Sequence, residues 1–128
     1  MKKQYGNYIE IVPVHGVTSV DDNSITLKSG YSMDRLDTLS AVEPEEQPEN
    51  TGAGTLYKFT LEVGVDKLSD TLRERYWGSI PVILKLIAAD THEETVVGSV
   101  RNPVRLTYTP NTEYDSFSFS RSSVFPVL

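Results

Sequence analysis

Histidines, carboxylates and serines are the side chains here that carry chemistry in other proteins, so their spacing is tested first. The two histidines, His15 and His92, both lie beside turn residues. A metal ion needs ligands at helical or hairpin spacing, whereas His92 is followed directly by Glu93 and Glu94, which point to opposite faces of an extended chain. Both histidines read as solvent-facing loop residues, and neither a metal site nor a cofactor is expected. The run "DDNS" at Asp21–Ser24 has the acidic start of a calcium loop but not its central glycine or distant glutamate, and reads as a turn. Serines are plentiful, yet none lies in a nucleophile elbow or pairs with a histidine base by motif. Clustered carboxylates occur only at Glu43, Glu45, Glu46 and Glu49, in a stretch without the burial that general acid catalysis exploits. Gly52 and Gly54 are followed by no Lys-Ser or Lys-Thr pair, which removes a phosphate loop. The expectation is a chain that is not an enzyme.

Two constellations suit binding better than catalysis. In "DSFSFSRSS", Asp115–Ser123, a strict period of two places Phe117 and Phe119 on one face of a strand and Ser116, Ser118 and Ser120 on the other. The phenylalanines are expected in the core that receives Tyr57, Phe59 and Leu61. The serines form a candidate interface, because small hydrogen-bonding side chains let another surface approach without desolvating a charge. The strand reads as a sheet edge, guarded at its ends by Asp115 and Arg121. The second constellation is aromatic: Trp77 at a helix end and Tyr108 on a late strand make a candidate ligand platform.

The elements that must position these residues follow from periodicity. In "LYKFTLEVGV" the residues Tyr57, Phe59, Leu61, Val63 and Val65 are apolar at every second position, the mark of a half-buried strand. The period then turns helical, with Leu68, Leu72 and Tyr76 on one stripe, Asp66 placed to cap and Gly78 to end a helix of about residues 67–77. "IPVILKLIAAD" is apolar on both alternating sets, which predicts a central strand covered on both faces, one of them by the helix. A turn at Asp90–Glu93 makes a hairpin with "ETVVGSV". "NPVRLTY" follows, with Pro103 at its start. Near the N-terminus "NYIEIVPV" and "ITLK" read as strands around the "DDNS" turn, while "SMDRLDTL" is a helical turn or an irregular strand. Residues 41–55, "AVEPEEQPENTGAGT", hold four glutamates, two prolines and two glycines, and read as an exposed loop or disordered connector. The expected fold is one α+β domain, residues 1–128, mainly antiparallel. Six to eight strands form a sandwich or partly open barrel under one main helix, with an acidic Pro/Gly-rich loop at about 42–55.

The chain has 128 residues, a net charge of −6 and no cysteine. Disulfide frameworks and thiolate sites are excluded. An acidic chain with no Lys/Arg cluster is not expected to bind nucleic acid. Its longest mainly apolar run, Ile80–Ala89, contains Lys85 and is too short to span a bilayer. Met1, Lys2 and Lys3 are followed by no sustained apolar run, so no secretion signal is read. A soluble, cytoplasmic chain with no membrane partner is expected.

The order of strand, helix and "PVILKL" strand, then "VVGSVRNPVRL" and "DSFSFSRSSVFP", resembles small uncharacterised β-rich proteins encoded among the tail and assembly genes of prophages from gut bacteria. The resemblance covers the C-terminal half, Thr55–Leu128, and carries no catalytic signature. It implies a virion or assembly component, an oligomer whose partners are its own copies or other virion subunits. With it the functional expectation is a non-enzymatic structural or interaction protein, a tail or neck subunit. Two alternatives stand beside it: a small ligand-binding β-module using the aromatic platform, and an enzyme whose site is not visible as a motif.

Overall fold

The structure is a computed structural model that describes residues 4–128. Ten strands and one short helix follow in chain order: β1 (Tyr5–Pro13), a 3-10 turn (Val14–Gly16), β2 (Val17–Asp21), β3 (Ser24–Leu27), β4 (Asp34–Asp37), β5 (Glu45–Thr51), β6 (Gly54–Asp66), α1 (Asp70–Arg75), β7 (Ser79–Ala88), β8 (Glu94–Val97), β9 (Val104–Pro110) and β10 (Tyr114–Ser123). Eight strands form one antiparallel sheet in the order β4-β1-β7-β9-β10-β6-β5, with β8 on β7, while β2 and β3 make a separate hairpin.

Long strands let this sheet curl. One edge of β7 takes β9 along residues 79–82 and β8 along residues 84–87. One edge of β6 takes β5 along residues 54–60, and further on receives the chain just after β4, through a Thr38–Val65 bridge and the Leu39 N–H donating to Gly64 O at 2.8 Å. Edge strand β4 therefore folds round to meet β6, and the result is a partly open barrel, the mainly antiparallel α+β architecture that the periodicity predicts.

The interior is built by the alternation read from sequence. Phe59, Leu61, Val63 and Val65 of β6, Phe117 and Phe119 of β10, Leu106 and Tyr108 of β9, and Val82, Leu84 and Leu86 of β7 share one cluster. Register makes the contacts specific, since Phe117 pairs with Val63 and Tyr108, and Phe119 with Leu61 and Leu106. Burying each large side chain of this kind is worth about 1.5–3 kcal/mol relative to exposure.

Three expectations are corrected. The β7 strand is covered on both faces, but the outer cover is not the helix: Ile83 packs with Val12, Val17 and Val96, flanked by Val20, Ile25 and Leu27 of the β2–β3 hairpin. Leu68, Leu72 and Tyr76 instead pack on the barrel interior, so α1 lies across the end where β6 finishes and β7 begins. The helix is also shorter than 67–77, because Asp66 stays in β6 opposite Tyr114 and Ser69 is the N-cap, its hydroxyl accepting from the Leu72 N–H. The acidic stretch at 42–55 is not a loop: Glu45–Thr51 forms β5, paired residue for residue with β6. Its composition suits an outermost strand, where proline loses little and glutamates discourage further pairing. The segment that reads as a helical turn or an irregular strand takes the strand alternative: Asp34–Asp37 is β4, paired with β1. Among the described residues no helix is long and apolar enough to cross a membrane.

Candidate functional site

Ser116, Ser118 and Ser120 face outward as the period-two pattern requires, Ser118 exposed and the other two half-buried. The strand carrying them is not a sheet edge. β10 pairs with β6 along all ten of its residues and with β9 from Asp115 to Ser120, so its backbone is satisfied on both sides. A partner cannot add a strand there; it can only lie on the face. That face is wider than one row. Thr109, Ser116 and Gly64 stand side by side, then Thr107, Ser118 and Glu62, then Arg105, Ser120 and Thr60. Hydroxyls and a glycine fill seven of these nine positions, and Asn111 Nδ2 fixes the Ser116 hydroxyl at 2.8 Å. At one end Leu39 and Tyr114 flank Gly64, within 3.6 Å of where its Cβ would be, and both stay substantially exposed.

The two aromatic candidates do come together, but they do not form a shared platform. The Trp77 and Tyr108 ring centroids are 5.6 Å apart, yet Tyr108 is 6% exposed and packs edge-on against Phe117 at 5.3 Å. Tyr108 is a core residue because it alternates inward with Val104 and Leu106 along β9. Trp77, 60% exposed, is the part that a ligand can reach.

Two carboxylates anchor the ends of α1: Asp34, which no motif singles out, and Asp115, which is buried and is not the exposed edge guard expected from sequence. Asp115, fully buried, accepts the Leu68 N–H at 2.9 Å and Lys67 Nζ at 3.3 Å. Burial alone would raise its pKa; the Leu68 hydrogen bond, the adjacent Tyr108 hydroxyl and Lys67 outweigh it, and the net direction is down. Asp34 at the start of β4 accepts Arg75 Nη1 through both oxygens, at 2.9 and 2.7 Å, and also a short hydrogen bond from the Tyr76 hydroxyl. Burial, then Asp34 holding its proton, pushes the Tyr76 phenol far above the usual range. Both sites are clamps that join the helix to strands remote in sequence.

The histidines are apart from both anchors. His15 is exposed and meets Tyr31 edge-on at 5.6 Å, and His92 occupies a positive-φ turn position before β8. Among the described residues no group of three or more His, Cys, Asp or Glu side chains is placed to hold a metal ion.

At the barrel end away from α1, a groove of about 660 Å³ runs between the segment after β10 and the β7–β8 side, lined among others by Asp22, Val96, Arg121, Ser123, Phe125 and Val127. Glu46 of β5 secures that segment by accepting the N–H groups of Val127 and Leu128 at 2.8 and 2.9 Å. Arg121 is held by its Nε, which donates to Asn102 O at 2.8 Å, while Asn102 Nδ2 donates to Ser122 O at the same distance. Sequence reading missed this residue's surroundings because Asn102 is 19 positions away. Compared with protein-family models, curated proteins and solved structures, the chain matches none.

Proposed function

We propose that this chain is a non-enzymatic structural or interaction subunit that docks on another protein subunit, its own copy first, through the outer face of β9, β10 and β6. One observation carries the reading: a surface mainly of small hydroxyl residues is centred on β10, whose backbone is paired on both sides from Asp115 to Ser120, and is bordered by the exposed Leu39 and Tyr114. Small side chains lose little rotamer freedom on contact, and the rigid sheet beneath them needs no ordering. The two large apolar residues supply what a serine row lacks, a contact that gains from leaving water. The resemblance of residues 55–128 to prophage tail-region proteins supplies a setting, a tail or neck subunit incorporated in a virion. Sedimentation of the unmodified chain over a range of concentrations tests this. Self-association that Ser118→Lys weakens, at unchanged thermal stability, is the expected result. A chain that stays monomeric, or association indifferent to Ser118→Lys, removes the proposal.

A second reading has its own observation. Trp77 presents an indole 60% exposed and backed by Tyr108, an arrangement suited to stacking a flat ligand. It is the chain's single tryptophan, so its fluorescence reports directly on any ligand that stacks there.

A further inference from the structure

We infer that the groove beside β10 is a binding site for a carboxylate carried on a small apolar body, with Arg121 as the residue that grips it. The argument begins with how Arg121 is held. Its Nε is committed to the Asn102 carbonyl, and among the described residues its two terminal nitrogens make no hydrogen bond or ion pair. The guanidinium is half-buried, and burial lowers its pKa against the opposing influence of Glu46. Glu46 is not a free partner, since its oxygens already accept Val127 and Leu128. A partly desolvated cation with an anchored stem and an unused outer fork is pre-organised for bidentate contact with a planar anion.

The walls narrow the class. The lining is mainly polar, and Phe125, Pro126 and Val127 supply its smaller apolar part, so a small apolar body can be accommodated beside the charged group. The volume, about 660 Å³, lies within the usual range for compact ligands. Asp22 also lines it, and its charge opposes a multiply charged anion such as phosphate more strongly than a singly charged one. A singly charged carboxylate meets both conditions. It could belong to a free organic acid or to a peptide.

Chemical-shift mapping of the intact chain tests the assignment with matched probes: N-acetyl-leucine and its amide, N-acetyl-Ala-Ala-Leu and its amide, and inorganic phosphate. The acids should move the backbone amides of Gly98, Arg121, Ser123 and Phe125, about ten-fold more tightly than the amides. Arg121→Gln should erase the difference between acid and amide. The exposed Arg105 on β9 serves as the internal control and should not respond. Tighter binding of the tripeptide than of the single residue identifies a peptide source, and equal binding a free acid. Equal response to acid and amide on the unmodified chain, phosphate binding as tight as the acids, or shifts at Arg105 matching those at Arg121 would overturn the inference.

Discussion

The carboxylate of Asp115, at the start of β10, accepts the backbone N–H of Leu68 at 2.9 Å across 47 residues of sequence, and the Asp115 side chain has no exposure to solvent. Leu68 lies in the extended link between β6 and α1, so one buried side chain on the last strand decides where the helix begins. Lys67, next to Leu68, adds its ammonium to the other oxygen at 3.3 Å. The contact gives the Leu68 N–H a side-chain acceptor in place of a backbone one.

Asp115→Ala should therefore destabilise the fold by about 1–3 kcal/mol, because the Leu68 N–H keeps its burial and loses its acceptor. Asp115→Asn retains an acceptor and should cost less. Chemical denaturation of the two variants measures the difference, and equal losses would show that the negative charge, not the hydrogen bond, is what matters.

The same residue predicts an acid limb. Its folded pKa is lowered below the unfolded value, so its contribution is fully present above the ordinary aspartate range and is lost as pH falls through the folded pKa. Thermal stability should drop on acidification below about pH 4, the reference aspartate value. Asp115→Asn should flatten that limb. An unchanged acid profile in the variant would assign the effect to other carboxylates.

Phe117 touches Tyr108, Phe119 and Tyr76, with centroids 5.3, 6.3 and 6.5 Å away, and is 1% exposed. Phe117→Ala should cost about 3–5 kcal/mol as a core truncation. Ser118→Lys, one residue later on the outer face, should stay within about 0.5 kcal/mol. Thermal melts of the two variants side by side check the inward and outward assignment at once.

Tyr76 should resist ionisation. Burial, followed by its hydrogen bond to Asp34, raises its pKa, so it should remain protonated until the chain unfolds at alkaline pH. The sign is the reverse of the aspartate case: this contribution is present below the unfolded phenol value and lost as pH rises through the folded one. An ultraviolet titration should show at least one of the seven tyrosines titrating together with unfolding. In Tyr76→Phe that late step should diminish, with a loss of about 1 kcal/mol for the missing hydrogen bond.

Periodicity made β6 and β10 legible from sequence because each has one face in the core and one in solvent, and a period of two records that difference residue by residue. Phe59 through Val65 at alternate positions and Phe117 with Phe119 are placed in the core by this signal, whereas Tyr57, expected with them, is only half-buried near the start of β6. β5 carried no such signal. Its glutamates and Pro48 look like a loop, and they form a strand because the edge of β6 opposite β10 offers residues 54–60 as a template. Sheet position was equally hidden, since "DSFSFSRSS" reads the same at an edge or in the middle, and the flanking β9 and β6 decide which it is. Asp115 looked like a surface guard because its N–H partner is 47 residues away. Tyr108 looked available for a ligand until β9 turned it inward onto Phe117. Local patterning determined which residues face the core. Long-range pairing decided which strands are neighbours and which charges are buried, because those depend on partners that no local window of sequence contains.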